Sequence, residues 1–104
     1  MNNLIAVMRD WVDERGGRGL TRPWLVFRED SNAIKHSARV EVEDPDVLGQ
    51  IILWETGECE VDLGSTTDTE VNLISSHQFV TAQELTQALE EAMAFASAVI
   101  SRSK

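Results

Sequence analysis

The chain has 104 residues, a net charge of −9 and a hydrophobic fraction of 42%. That length supports one compact domain over residues 1–104 and is too short for two separate cores. The acidic charge disfavours binding to nucleic acid or to an anionic membrane, and no stretch approaches the roughly 20 apolar residues of a membrane span. We therefore predict a single-domain cytoplasmic protein without a secretion signal or a membrane anchor.

The charges are distributed unevenly along the chain. Residues 1–39 carry seven Arg and Lys against five acids, whereas residues 40–101 carry 13 acids and no Arg or Lys. The acidic segment can therefore be neutralised internally only by cations from the N-terminal third. Such an imbalance attracts basic protein surfaces, so we expect a protein partner. Cys59, the only cysteine, excludes an internal disulfide and is expected to be buried.

The first predicted element is an amphipathic helix that Asn2 or Asn3 can cap and that Gly16-Gly17 ends. Its apolar residues have the i, i+3, i+4 spacing of one helical face: Leu4, Val7, Met8, Trp11 and Val12. Five segments of near-alternating apolar and polar residues follow, at 20–28, 37–43, 47–55, 58–63 and 70–79. Their short connections predict mostly antiparallel strands.

A capping box, Thr81-Ala82-Gln83-Glu84, predicts the start of a second and longer helix. The order of helix, strands and helix indicates an α+β fold. We expect an N-terminal helix, a five-stranded and mostly antiparallel meander sheet, and a C-terminal helix, with both helices on one face of the sheet. The other face of the sheet would then be open to solvent.

A two-residue turn at Thr56-Gly57 would place Glu55 opposite Glu58 and would assign each side chain of the hairpin to a face. The residues predicted to meet the helices are Ala38, Val40, Val42, Ile52, Trp54, Cys59, Val61 and Leu63. The residues predicted on the outer face, and proposed to bind a partner, are Arg39, Glu41, Glu43, Ile51, Leu53, Glu55, Glu58, Glu60 and Asp62. An apolar centre with a charged rim is typical of a protein-binding surface. The alternative is a solvated face whose acids only aid solubility.

The sequence indicates binding in preference to catalysis. Acids that alternate along an exposed strand share one environment, whereas catalytic carboxylate pairs need unlike environments. Neither His36 nor His77 has a partner at a recognisable catalytic spacing. The glycines at 16–19 end a helix instead of opening one after a strand, which is the wrong context for binding phosphates. We therefore expect no enzymatic activity, no cofactor and no bound metal ion.

Residues 37–64, SARVEVEDPDVLGQIILWETGECEVDLG, resemble the central signature of the TriTu immunity proteins. In that signature a Ser-Ala-Arg strand leads, after an acidic loop, to Leu-Gly-Gln and an aliphatic strand. Trp-Glu-Ser/Thr-Gly-Glu and an alternating acidic strand follow. The chain matches the signature at Arg39, at 48–50 and at 54–58, and its two terminal helices agree with the family in kind and order.

The resemblance implies an antidote kept in the cytoplasm of bacteria that deploy Rhs polymorphic toxins through type VI secretion. The paired toxin of that family, TreTu, is an ADP-ribosyltransferase that modifies elongation factor Tu. Membership implies a protein that catalyses nothing and binds the toxin domain one to one, over its NAD site or over the path of its target.

Two alternatives belong to other functional classes. Small acidic α+β proteins also serve as secretion chaperones, which are dimers that hold an extended segment of an effector along apolar patches. A chaperone would therefore have the mass of a dimer in solution and would hold an unfolded partner, which distinguishes it from an immunity protein. The second alternative is an acid-based hydrolase, for which Glu55 and Glu58 are the best candidate residues.

Overall fold

The described part of the chain folds into two helices and one sheet. The computed structural model describes residues 3–15, 24–30 and 35–102. The elements are α1 (Leu4–Arg15), β1 (Trp24–Asp30), β2 (Ser37–Glu43), β3 (Val47–Trp54), β4 (Glu58–Ser65), β5 (Asn72–Gln78) and α2 (Ala82–Arg102). The strands form an antiparallel meander in the order β1-β2-β3-β4-β5, which confirms the predicted α+β fold. The predicted helix end at 16–17 and strand start at 20–23 lie outside the described residues.

Both helices pack against the same face of the sheet. One hydrophobic core contains Met8 from α1, Leu85 and Leu89 from α2, and the inward side chains of the strands. This arrangement buries the apolar stripe of each helix and leaves the other face of the sheet uncovered by α1 and α2. Neither of the two described helices has the combination of length and apolar character that crossing a membrane requires.

The helix starts follow the predicted capping chemistry. The Asn3 Oδ1 atom accepts a hydrogen bond from the Ala6 N–H at 3.1 Å. At α2, Thr81 Oγ1 accepts from the Glu84 N–H at 3.2 Å, and Glu84 Oε1 accepts from the Thr81 N–H at 3.0 Å. Backbone donors at Val80 and Thr81 lower the pKa of Glu84, because they stabilise its carboxylate form. The capping box is therefore confirmed.

The hairpin between β3 and β4 turns through three residues, 55–57. Leu53 pairs with Cys59, and the Gly57 N–H donates to the Trp54 carbonyl at 2.9 Å. Gly57 has a φ of 94°, which is the conformation that a three-residue hairpin loop requires of its last residue. The predicted two-residue turn is therefore wrong by one residue.

The extra turn residue reverses the faces of β3, because the side chains of a strand alternate with a period of two. Ile51 and Leu53, which were predicted on the outer face, are in the core with exposures of 1% and 0%. Ile52 and Trp54, which were predicted beneath the hairpin, are half-buried and lie on the outer face. Trp54 is thus not a core residue.

The predicted faces of β2 and β4 are confirmed. The inward side chains are all buried: Ala38, Val40, Val42, Cys59, Val61 and Leu63. Burial raises the pKa of Cys59 to about 12, so its thiol stays neutral at physiological pH. Cys59 therefore acts as a small apolar core residue, as predicted.

Gly49, in the Leu-Gly-Gln part of the signature, allows β3 and β4 to approach closely. Its φ is 154°, and a Cβ atom at this position would lie 2.0 Å from the Asp62 carbonyl oxygen and 2.7 Å from the Leu63 Cα. Both neighbours belong to the backbone and cannot rotate away. Any side chain at position 49 would therefore push β4 out of register or distort β3.

We expect Gly49→Ala to destabilise the fold by about 2 kcal/mol or more, since the new methyl group meets backbone at an unfavourable φ. In thermal unfolding this corresponds to a fall in Tm of roughly 8 °C or more. The matched control is Gly64→Ala on β4, where the nearest atoms lie 4.0 Å from the added Cβ. Equal losses for the two variants would contradict this account.

Candidate partner-binding face

The uncovered side of the sheet presents side chains from all five strands. We call this surface the open face. It consists of Val26, Arg28, Asp30, Ser37, Arg39, Glu41, Glu43, Leu48, Gln50, Ile52, Trp54, Glu58, Glu60, Asp62, Gly64, Asn72, Ile74, Ser76 and Gln78. Each of these residues is exposed or half-buried, and none is buried.

The open face contains six of the nine residues that the sequence proposes for partner binding. These are Arg39, Glu41, Glu43, Glu58, Glu60 and Asp62. Glu55 lies in the exposed turn beyond the strand ends and is not directly opposite Glu58. Ile51 and Leu53 are buried beneath the sheet and cannot touch a partner.

Sequence reasoning missed the apolar residues of this face. Leu48 and Ile74 are 55% and 70% exposed, and Ile52 and Trp54 are half-buried. If the sequence is assigned a three-residue loop that ends at Gly57, Ile52 and Trp54 are predicted on the open face. This follows because the longer loop shifts the register of β3 by one residue relative to β4. The apolar side chains are interspersed with charges: Ile52 lies beside Arg39 on β2 and Glu60 on β4.

The β1–β2 corner of the open face contains a network of three charges. The Arg28 Nε donates to Glu41 Oε1 at 2.6 Å, and the Arg39 Nε donates to Glu41 Oε2 at 3.2 Å. The hydrogen bond from Arg28, followed by the charge of the two guanidinium groups, lowers the pKa of Glu41. Both guanidinium groups of this corner are therefore engaged with one carboxylate.

A second ion pair lies at the hairpin. Lys35, two residues before β2, donates to Glu58 through its Nζ, and Thr56 Oγ1 donates to the same carboxylate at 3.0 Å. The hydrogen bond from Lys35 lowers the pKa of Glu58. The Lys35 ammonium also stands 5.9 Å from the centre of the Trp54 ring. Cations of the N-terminal third thus neutralise some acids of the 40–101 segment, which has no Arg or Lys of its own.

Three acids of the open face have no such partner in the part of the chain that the structure describes. Within residues 3–15, 24–30 and 35–102, no Arg, Lys or His forms an ion pair with Glu43, Glu60 or Asp62. Glu60 and Asp62 are both exposed and lie two residues apart on β4, between the apolar side chains of Ile52 and Ile74. We call this pair the acidic strip. A basic surface could approach it without first breaking an ion pair between described residues.

Two shallow depressions shape the open face. The first has a volume of about 600 Å³, and its lining includes Glu43, Leu48, Gln50, Asp62 and Gly64. It is open because Gly64 has no side chain to fill the space beside Leu48. The second has a volume of about 530 Å³, and its lining includes Arg28, Ser37, Arg39 and Ile52. The open face therefore has places where protruding side chains of a partner can be seated.

The two histidines make structural contacts in the sheet. His36 Nε2 lies 2.7 Å from Glu29 Oε2. The His77 ring stacks on Phe79 with 5.0 Å between the centroids and lies within hydrogen-bond distance of Ser75. Across the described part of the chain, no group of three or more His, Cys, Asp and Glu is arranged to hold a metal ion. The interactions that the open face offers are charge pairing and apolar contact.

Comparison with known proteins identifies the family of the chain. The family model described as immunity protein TriTu matches residues 7–95, which include all five strands and most of both helices. No curated protein matches the chain. The match includes both glycines whose conformations fix the β3–β4 hairpin, Gly49 and Gly57. The chain therefore belongs to the TriTu family of immunity proteins.

Proposed function

We propose that this immunity protein neutralises an ADP-ribosyltransferase toxin of the TreTu type by binding its catalytic domain through the open face. The observation that carries the proposal is the acidic strip, which has no ion-pair partner among the described residues and lies beside exposed apolar side chains on the sheet face that α1 and α2 leave uncovered. The protein would act in the cytoplasm as a stoichiometric inhibitor, without a cofactor and without catalysis of its own. The toxin would be delivered by an Rhs-type type VI secretion system.

Charge complementarity favours the NAD site of the toxin as the surface that is bound. A pocket that holds the anionic pyrophosphate of NAD is expected to be lined by positive groups. Glu60 and Asp62 would face that lining and take the place of the pyrophosphate charge. Because both carboxylates are exposed and unpaired among the described residues, they can steer the encounter over several ångströms.

The apolar residues of the open face would supply the short-range part of the contact. Ile52 and Trp54 replace Ile51 and Leu53 as the proposed centre, since only the former pair is accessible. Trp54 is held by the nearby Lys35 ammonium, and large aromatic side chains of this kind often dominate interface energetics. The surrounding charges would then fix the orientation of the partner.

The proposal is tested with the purified transferase domain of a cognate TreTu-type toxin. Light scattering should give the mass of a one-to-one complex, and co-expression should protect cells. NAD hydrolysis by the toxin alone and ADP-ribosylation of elongation factor Tu are then measured with increasing immunity protein. Loss of both activities at an equimolar ratio indicates a covered NAD site, whereas loss of only the second indicates a blocked target path.

The absence of a complex, or full transferase activity in its presence, would refute the proposed function. A dimer of this protein that holds an unfolded client would instead identify a secretion chaperone.

A further inference from the structure

Strand β5 forms one of the two edges of the sheet, and its hydrogen-bonding pattern shows which backbone groups are free. Directly opposed residues flank the β4–β5 ladder at both ends: the Ser65 N–H donates to the Val71 carbonyl at 2.9 Å, and the Phe79 N–H donates to the Gly57 carbonyl at 2.9 Å. In an antiparallel ladder, hydrogen-bonded pairs recur at every second residue. The odd-numbered residues of β5 therefore turn their backbone groups toward β4.

The even-numbered residues consequently direct their N–H and C=O groups away from the sheet: Asn72, Ile74, Ser76 and Gln78. No strand of the described chain pairs with this side of β5. The side chains of the same four residues lie on the open face, and Ile74 is 70% exposed. The edge thus continues the open face laterally and offers a row of backbone donors and acceptors.

The edge at β5 lacks the usual features that prevent pairing with another strand. Natural edge strands commonly carry charged residues or proline, and β5, with the sequence NLISSHQ, contains none of Asp, Glu, Lys, Arg or Pro. The opposite edge, β1, ends in three consecutive charged residues at 28–30. Of the two edges, β5 is therefore the one suited to accept an additional strand.

The surroundings of β5 select a basic strand. On the open face, the next strand inward carries Glu60 beside Ser76 and Asp62 beside Ile74. On the helix side, a depression of about 220 Å³ has Glu84 and Glu91 in its lining. An added strand would therefore meet carboxylates on both of its faces. A second copy of this chain, with its net charge of −9, would be repelled there.

We propose that β5 accepts a basic strand of the toxin domain as a sixth strand of the sheet. Main-chain hydrogen bonds to the even-numbered residues would supply affinity, as in other cases of strand addition. An Arg or Lys next to Ser76 would reach across that small side chain to Glu60, since adjacent strands lie only about 4.8 Å apart. This inference rests on the proposed function and adds a defined contact to it.

Ser76→Pro tests the proposal because it removes one outward N–H and leaves the β4–β5 ladder intact, a place where an edge strand tolerates proline. The matched control is Ser76→Ala, which changes the side chain and keeps the N–H. We expect Ser76→Pro to bind the purified toxin domain about tenfold or more weakly, and Ser76→Ala to bind within about twofold of wild type. Circular dichroism and thermal unfolding verify that both variants are folded.

Hydrogen exchange gives a second measurement that needs no variant. In the wild-type complex with the toxin domain, the amides of Ile74 and Ser76 should exchange more slowly than in the free protein. Strand addition would be refuted if Ser76→Pro bound the toxin domain normally and the wild-type amides did not exchange more slowly in the complex. The proposed function would then remain intact. A failure of wild type to bind the toxin would refute both. If the wild-type protein formed a dimer and Ser76→Pro abolished that dimer, the strand that pairs with β5 would belong to a second copy of this chain.

Discussion

Leu53→Ala is expected to lower the free energy of unfolding by about 2 to 5 kcal/mol, whereas Ile52→Ala should lower it by about 1 kcal/mol. Leu53 has no solvent exposure and lies in the single core between sheet and helices. Its removal leaves a cavity that the close-packed neighbours cannot fill. Ile52 is half-buried on the open face, so its truncation creates no enclosed cavity.

For the affinity of the toxin complex, Ile52→Ala is expected to be the variant with the direct effect. Ile52→Ala should weaken the complex while its fold survives, because the lost side chain lies at the proposed contact. Urea unfolding gives the stabilities, and titration with the purified transferase domain gives the affinities. If Ile52→Ala were the more destabilising variant, β3 would have the opposite register, and the two-residue turn would be correct.

This pair of residues also explains why the sequence could not predict the faces of β3. Residues 51–54 read Ile-Ile-Leu-Trp, so two large apolar side chains fall on each face whichever register is chosen. Alternation is informative only where apolar and polar residues differ, as they do on β2 and β4. The register of β3 therefore depended on the turn length, and Thr56-Gly57 is compatible with two loop lengths.

The local signals predicted the order and bounds of the elements more successfully. The capping box at Thr81 and Glu84 fixed the start of α2, and β2 was predicted at its observed bounds. The charge distribution identified the N-terminal cations as the internal source of positive charge for the acidic segment. It could not predict which acids are neutralised, because the pairing of Lys35 with Glu58 depends on the tertiary position of the chain before β2.

Reversing the acidic strip with Glu60→Lys and Asp62→Lys is expected to slow association with the toxin by about tenfold or more at low ionic strength. Both residues are exposed, and neither has an ion-pair partner among the described residues, so the fold should remain stable. The loss should fall mainly on the association rate. It should shrink as salt is raised toward 1 M, where the Debye length is about 3 Å.

The matched control for the strip is Asp13→Lys with Glu14→Lys, on the exposed side of α1. Both double variants replace one Asp and one Glu and change the net charge from −9 to −5, so they differ only in the surface that is altered. Stopped-flow association at low and high salt, together with survival on co-expression, separates the two. If the α1 variant slowed association equally, net charge alone would steer the encounter. If neither variant did so, the acidic strip would serve solubility, and the toxin would bind another surface.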